Sequence, residues 1–277
     1  MPFIETHRSF VNTWQCDEND HMNVQFYFKN FAEAAEVFAL RHKMDRLSAS
    51  CPKVRHVRYL RELRNASSIA VKSAIISDGE HQGRILHLLE NVDEDVVSAA
   101  ALDTCDNPSG ELPTVKSEEV AFALPRGIPA QYLPEQPLDE LLNENKAVTS
   151  KYGIIQPAHC GINGEMLPQH YISHLTDGAP HVWNHIGLTT DFLDKHNYGR
   201  VAMEMKLSVI TPAKVGAAIE IISFCQGMSE KTFTIHHQIR DIETGKAYAT
   251  VQIINLIMDL EKRKAVPVPD FARNQFG

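Results

Sequence analysis

The 277-residue chain carries one order of sequence signals twice, and this repeat constrains its fold more than any other feature. The segment CDENDHMNVQFYFKNF, which begins at Cys16, matches CGINGEMLPQHYISHL, which begins at Cys160, at an offset of 144 residues. Two later matches have an offset of 150, and they begin at Val57 and Leu207 and at Ile85 and Ile235. The second copy therefore has six extra residues (150 minus 144) between its helix and the strand that follows.

The sequence pattern of each copy predicts one apolar helix followed by several strands. In the first copy the helix is indicated by apolar residues at helical spacing, namely Tyr27, Phe31, Ala34 and Phe38. Later runs such as GRILHLLENV and AYATVQIINLIMD are rich in β-branched residues, and short turns with Gly or acidic residues separate them. The pattern predicts an α+β fold in which each copy packs its helix against an antiparallel sheet.

The predicted organisation is a first repeat over residues 1–106, a linker or crossover over 107–150 and a second repeat over 151–277. The linker is rich in proline and acidic residues, as connecting segments often are.

Composition excludes several classes of protein. The net charge of −8 disfavours binding to nucleic acid or to an anionic membrane. The start MPFIETHRSF does not resemble a secretion signal, and no long apolar window predicts a membrane span, so we expect a cytoplasmic protein. The five cysteines lack CxxC spacing, which favours reduced thiols over a disulfide framework or a zinc ribbon.

The loop WQCDENDHMN, just before the first helix, concentrates polar and ionisable residues. Such residues can cap a helix, and we expect Asp20 to do so. They can also carry chemistry, because a carboxylate beside a helix N-terminus joins a base or nucleophile to backbone N–H donors. The second copy begins its helix without Asp17 or His21, so helix initiation alone does not explain the loop.

Three features of the first copy together resemble the hot-dog-fold thioesterases of the 4-hydroxybenzoyl-CoA thioesterase type. They are the sequence WxxD, the loop DENDHMN and the Tyr-containing helix that ends with FAEAAE. Asp17, His21 and Asn23 occupy the places of that family's motif, and Asp20 replaces its usual glycine. Asp17, Asn19 and His21 are also similar to the Asp-x-Asn-x-His element of acyl-carrier-protein thioesterases. Two copies imply a double hot-dog fold, in which each repeat wraps a central helix in a curved antiparallel sheet.

The resemblance implies an acyl-CoA thioesterase with one working site in the first repeat. Asp17 would attack the thioester or activate water, and Asn19 and His21 would orient the water or the carbonyl. Backbone N–H groups near His21 to Val24 would stabilise the oxyanion. Asn23 and Tyr27 are expected to contact the substrate, and an aromatic cage for a quaternary ammonium acyl group is a further possibility.

The second copy has lost most of this motif. Gly161 stands at the place of Asp17, Asn163 keeps the place of Asn19, and Glu165 replaces His21. Glu165 is the candidate helper group in catalysis, and an ordinary first-turn glutamate is the alternative.

A basic segment, KVRHVRYLRELR, offers cations to the carrier of the acyl group. We expect Arg55 and Arg58 to bind a phosphate of coenzyme A or the acidic face of an acyl carrier protein. A charged, solvated edge strand is the alternative.

Neither a metal nor another cofactor is expected. His170 and His174, and again His181 and His185, have the i, i+4 spacing of metal ligands. They lack an acidic partner between them, however, and Gly178-Ala179-Pro180 is predicted to break the helix between the two pairs.

Two other functions remain open besides hydrolysis of an acyl-CoA, or of an acyl thioester on a carrier protein. One is a hydratase or dehydratase acting on acyl thioesters, and the other is a non-catalytic protein that binds them. We expect no nucleic-acid or membrane partner, and a monomer or a homodimer.

Overall fold

The structure, a computed structural model, describes residues 2–17, 19–104, 112–129 and 136–276, with the backbone alone at 47, 48, 275 and 276. The chain divides into two compact units. The first is Met1–Arg126 with Leu167–Ile172, and the second is Gly127–Met166 with Ser173–Gly277. Among the described residues, no helix has both the length and the apolarity that crossing a bilayer requires.

The first unit pairs a long helix with an antiparallel sheet. Its helices are α1 (Val24–Arg41) and α2 (Arg46–Ser50). Its strands are β1 (Ile4–Phe10), β2 (Val54–Tyr59), β3 (Ser68–Ile76), β4 (Ile85–Asn91), β5 (Val96–Thr104) and β6 (Thr114–Val115). The strand order is β1-β3-β4-β5-β2, and the short β6 lies parallel to β3.

The second unit repeats this arrangement and adds to it. Its helices are α3 (Leu138–Asn143), α5 (Thr190–His196) and α6 (Asp270–Phe276), together with most of α4 (Pro168–His185), the counterpart of α1. The residues of α4 up to Ile172 are assigned to the first unit. Its strands are β7 (Ala147–Ile154), β8 (Tyr198–Val209), β9 (Ala218–Met228), β10 (Thr232–Asp241), β11 (Ala247–Asp259) and β12 (Lys264–Val266). The order β8-β11-β10-β9-β7 is that of the first unit read from the opposite edge.

Strand register confirms the internal repeat at single-residue resolution. Ser73 pairs with His87 between β3 and β4, and Ser223 pairs with His237 between β9 and β10, which is an offset of 150 on both strands. The same offset holds at Val57 with Ala101 and at Leu207 with Val251. The predicted α+β double hot-dog architecture is therefore confirmed.

Helix α1 forms because its sequence supplies both a cap and an apolar surface. Asn23 precedes it in an extended conformation, and the Asn23 side chain accepts a hydrogen bond from the Gln25 N–H (3.1 Å). The rings of Phe28, Phe31 and Phe38 are completely buried. Burial of three aromatic rings fixes the helix against the sheet and so fixes the loop that precedes it.

Helix α4 continues through Pro180, so the predicted break at Gly178-Ala179-Pro180 is wrong. Pro180 removes one N–H donor from the helix, but the buried side chains of Leu175 and Val182 lie on either side of it in sequence. A Cβ atom at Gly178 would lie 3.0 Å from the Ser150 carbonyl oxygen, so this glycine allows close contact between helix and strand. Packing outweighs the local propensity to end the helix.

The predicted linker contains regular structure that its composition did not indicate. Residues 105–111 and 130–135 lie outside the described residues. Val115 and Val120 are buried in an apolar cluster with Ala74 and Leu86 of the first sheet. Strand β7 begins at Ala147, before the predicted start of the second repeat at 151.

Candidate active site

The loop before α1 is a tight turn closed by its own backbone. The Asp17 N–H donates to the His21 carbonyl (2.8 Å), and the Asp20 N–H donates to the Asp17 carbonyl (3.1 Å). The Met22 N–H then donates to the Leu63 carbonyl (2.7 Å), which ties the loop to the segment after β2. The loop therefore holds Asp17 and His21 close to the start of α1.

The second unit builds the same backbone from different residues. The Gly161 N–H donates to the Glu165 carbonyl (2.9 Å), and the Gly164 N–H donates to the Gly161 carbonyl (2.9 Å). The Met166 N–H donates to the Ala213 carbonyl (2.8 Å), as Met22 does in the first unit. The turn therefore needs neither Asp17 nor His21 to form.

Asp20 supplies a left-handed backbone conformation and does not cap the helix, so the prediction for this residue is wrong. Its φ is 60°, and the equivalent Gly164 has a φ of 74°. Asp tolerates this region better than most residues, which explains how it replaces the glycine that the resemblance led us to expect. The cap is Asn23, so the structure gives Asn23 a structural role.

The Asp17 carboxylate is held by backbone N–H groups. One oxygen, Oδ1, accepts hydrogen bonds from the N–H groups of Asn19 (2.9 Å) and His21 (3.2 Å). The other oxygen, Oδ2, accepts none from the residues that the structure describes. Asp17 is partly buried and Asn19 is exposed. The carboxylate is therefore fixed in place, with one oxygen available for chemistry.

Most backbone donors at the start of α1 are already occupied. The N–H groups of His21, Met22 and Asn23 donate to Asp17 Oδ1, the Leu63 carbonyl and the Gln15 carbonyl, respectively. This corrects the expectation that they are free to bind an oxyanion. Across the described ranges, the Val24 N–H has no acceptor within the chain.

The position equivalent to Val24 in the second copy of the repeat is Pro168, at the offset of 144. Proline has no backbone N–H. The second copy thus lacks both the carboxylate, which Gly161 replaces, and the available donor. The two losses coincide in the copy with the degenerate motif.

His21 contacts a second carboxylate that the sequence analysis missed. Its Nε2 lies 3.3 Å from Glu62 Oε2, and both side chains are largely buried. Glu62 lies just after β2, and the equivalent residue in the second unit is Pro212. Its one sequence signal was an acidic residue within a strongly basic segment.

Tyr27, on the first turn of α1, is buried. Burial raises the pKa of Tyr27 far above its usual range, the Leu63 backbone opposes this shift, and the charges of Glu62 and Asp17 add to it. The ring lies edge-on to Tyr59 at 5.1 Å between centroids. Trp14 is 77% exposed, so the structure does not join it to Tyr27 in an aromatic cage.

The neighbouring thiol is poorly suited to act as the nucleophile. Burial, followed by the charges of Asp20 and Asp17, raises the pKa of Cys16. The Cys16 thiol therefore stays protonated at neutral pH.

The structure does not place Arg55 and Arg58 at a free surface. Arg55 is fully buried in an ion pair with Asp103 (2.6 Å), which corrects the prediction that it binds a phosphate. Nη1 of Arg58 donates to the carbonyls of Phe122 (2.6 Å) and Leu124 (2.8 Å). Arg61 and Arg64 of the same segment are the exposed arginines, and the Arg64 backbone bridges to His21.

Glu165 lies in the corresponding loop of the second unit. Its Oε2 accepts a hydrogen bond from Asn163 Nδ2 (2.9 Å), and its N–H donates to Asn163 Oδ1 (3.1 Å). These reciprocal bonds stabilise the degenerate loop.

The histidine pairs occupy different environments in α4. His174 is buried with its ring edge-on to His159 at 5.0 Å, whereas His181 is exposed. In the described part of the chain, no group of three or more His, Cys, Asp or Glu side chains is placed to hold a metal ion.

Comparison with known proteins places this site in a family. No curated protein matches the chain in a sequence search. The fold is similar to that of a putative oleoyl thioesterase from Lactobacillus plantarum, at 12% identity and a TM-score of 0.61, over 90% of this chain and 94% of that one. It is also similar to an acyl-ACP thioesterase from Bacteroides thetaiotaomicron, at 12% identity and a TM-score of 0.58, over 92% and 98%.

A 12:0-ACP thioesterase from Umbellularia californica shares the fold at 12% identity and a TM-score of 0.59, over 92% of this chain and 94% of its own. A family model described as the thioesterase-like superfamily matches residues 11–106 and 155–276, which is more than half of the chain. The chain therefore belongs to the thioesterase-like superfamily.

Proposed function

We propose that this protein hydrolyses an acyl-CoA thioester to the free acid and coenzyme A, at one site centred on Asp17. One observation carries the proposal. The two units share the backbone of the loop, but only the first adds a fixed carboxylate and an available helix N–H, at Asp17 and Val24. A base and an oxyanion donor are the two groups that ester and thioester hydrolysis need.

Asp17 acts as the general base in this proposal. Oδ1 is held by two N–H donors, and Oδ2 takes a proton from water as the oxygen of that water adds to the thioester carbonyl carbon. The Val24 N–H donates to the oxyanion of the tetrahedral intermediate. The carbon–sulfur bond then breaks, and the departing thiolate takes the proton from Asp17.

His21 orients the attacking water in this scheme, and Glu62 holds the His21 ring. Asn19 is exposed in the same loop, and its side-chain amide contacts the water or the thioester carbonyl. Glu165 belongs to the second unit, where its hydrogen bonds to Asn163 support a structural role.

Arg61 and Arg64 take the role that the sequence suggested for Arg55 and Arg58. Both are exposed, and they flank Glu62 and Leu63, which contact the catalytic loop. Guanidinium groups bind phosphate esters well, and such esters occur in coenzyme A and in the phosphopantetheine of carrier proteins. Two of the structural neighbours are named for acyl-ACP substrates, so a carrier protein is the second candidate carrier.

A panel of acyl thioesters tests the function directly. The purified protein is incubated with acyl-CoAs that carry aliphatic, aryl and quaternary ammonium acyl groups, and thiol release is followed with a chromogenic disulfide. We expect stoichiometric release of thiol and free acid from at least one substrate. Saturable binding without thiol release would indicate a binding protein, and a change in double-bond absorbance without thiol release would indicate a hydratase.

A further inference from the structure

A chain of buried polar side chains crosses the whole sheet of the first unit. It runs between the sheet and α1, since the His87 ring lies 6.3 Å from that of Phe31. Each strand of the path β1-β3-β4-β5-β2 contributes one member, in the order Thr6, Ser73, His87, Asp103 and Arg55. The successive contacts measure 2.7, 2.7, 3.4 and 2.6 Å.

The strongest contact in this chain is the ion pair at its end. Arg55 Nε donates to Asp103 Oδ1 (2.9 Å) and Nη2 donates to Oδ2 (2.6 Å), and both side chains are fully buried. Burial alone raises the pKa of Asp103, but the charge and hydrogen bonds of Arg55 outweigh it, and the pKa lies below its usual value. The Asp103 carboxyl is therefore ionised at neutral pH.

The second unit keeps one half of this chain and has lost the other. Ser150 and Ser223 hydrogen bond at 2.9 Å, and Ser223 hydrogen bonds to His237 at 2.7 Å. At the offset of 150, however, Met205 and Ile253 stand in place of Arg55 and Asp103. The fold therefore forms with an apolar pair at these positions.

This difference needs an explanation, because buried ion pairs seldom add stability over well-packed apolar residues. The ion pair occurs in the unit that carries Asp17, and it also contacts the catalytic helix. Arg55 Nη1 donates to the Phe28 carbonyl (3.2 Å). Phe28 lies one helical turn after Val24, on the same face of α1.

We propose that Arg55 and Asp103 are positioning residues that fix the first turns of α1, and with them the Val24 N–H, relative to Asp17. The inference rests on the proposed function. Because Nε and Nη2 of Arg55 both donate to the Asp103 carboxylate, the planar guanidinium is held in one orientation. Its third nitrogen, Nη1, therefore donates to the Phe28 carbonyl in a fixed geometry. A donor must be placed within a fraction of an ångström to stabilise a transition state.

The test moves the residues of the second unit into the first, as the double variant Arg55→Met/Asp103→Ile. We expect a melting temperature equal to or above that of the wild type. We also expect kcat to fall by about tenfold to 10²-fold with KM unchanged, as for a displaced catalytic group. The matched control, Met205→Leu/Ile253→Val, changes the same positions of the second unit and should leave kcat unchanged.

Hydrogen exchange of the Phe28 amide gives a readout that needs no substrate, because in an α-helix that begins at Val24 this amide donates to the Val24 carbonyl. In the double variant this amide should exchange faster, while amides of β9 and β10 keep wild-type rates. A folded double variant with wild-type kcat and wild-type exchange at Phe28 overturns the proposal. If the wild type releases no thiol from any substrate, the proposed function fails, and the exchange measurement still decides whether the pair positions the helix.

Arg55→Lys covers the case in which the double variant does not fold. Lysine can keep the charge opposite Asp103, but it lacks the fork that also reaches Phe28. We expect a folded protein with reduced kcat and faster exchange of the Phe28 amide. Unchanged kcat and exchange in this variant would contradict the proposal as well.

Discussion

Val24 and Pro168 occupy the same position at the start of the two long helices, and only Val24 carries a backbone N–H. That N–H has no acceptor within the described part of the chain, whereas the donors around it are occupied. The duplicated chain therefore contains its own comparison between a loop that has a carboxylate and an available N–H and one that has neither.

Replacing Val24 by Pro should remove the oxyanion donor and leave the helix intact. Proline is favoured at the first helical position, and Asn23 already has the extended conformation that a residue before proline adopts. We expect kcat for thiol release to fall roughly 10²-fold to 10³-fold with little change in melting temperature. Val24→Ala keeps the N–H and serves as the control, so an equal loss in both variants would assign the effect to the side chain.

The contact between His21 and Glu62 predicts a second loss of activity. Glu62→Gln removes the negative charge beside the imidazole of His21. An acid–base group contributes roughly 10²-fold to 10⁴-fold to the rate, and we expect kcat of this variant to fall by less than that full factor. The matched control is Glu33→Gln, which changes a similar contact between Glu33 and His7 (3.5 Å) on the other side of α1. Steady-state rates that fall equally in both variants would show that Glu62 has no special role.

Replacing Asp20 by glycine should change the stability of the protein little, whereas replacing it by alanine should lower the stability. Its positive φ matches that of Gly164, and an L-residue without a short polar side chain pays about 1 kcal/mol or more in this region. The free energy of unfolding of Asp20→Gly should lie within about 1 kcal/mol of the wild-type value, because the flexibility of glycine in the unfolded chain offsets the strain that it relieves in the turn. Asp20→Ala should be less stable than Asp20→Gly in chemical denaturation, and the opposite order would contradict this account of the turn.

Arg61 and Arg64 should matter only for substrates that carry phosphate. In the variant Arg61→Gln/Arg64→Gln, KM for an acyl-CoA should rise by about tenfold or more, because each charge-assisted contact contributes roughly 1.5–3 kcal/mol. The same acyl group on N-acetylcysteamine, which lacks phosphate, should be hydrolysed as by the wild type. Lys214→Gln, at the position equivalent to Arg64, is the control, and a loss shared by both substrates would exclude phosphate recognition.

The fold was predictable because its signals are periodic and occur twice. The matches at Cys16 with Cys160 and at Ile85 with Ile235 correspond to paired elements of the two units. Local propensity failed where packing decided the outcome, as at Pro180, which lies inside a helix. It also failed at Asp20, because Asp20 and Asn23 can both cap a helix and only the backbone angles distinguish them.

The candidate site was predictable only in part. Asp17 and His21 came from a motif, but Glu62 reaches His21 from a distant segment, and its one local signal is an acidic residue among basic ones. Arg55 looked like a surface cation in a basic segment, and its partner Asp103 lies three strands later in the sequence. Contacts of this kind depend on strand register, which composition and spacing do not determine.

The most direct test compares Asp17→Asn with Asp20→Asn, two changes of the same chemistry in one loop. A side-chain amide at position 17 can still accept hydrogen bonds from the N–H groups of Asn19 and His21, but it cannot take a proton from water. Thiol release by Asp17→Asn should fall at least about 10²-fold, while Asp20→Asn should keep nearly all activity. Wild-type rates in Asp17→Asn, with both variants folded, would contradict the assignment of the active site to Asp17.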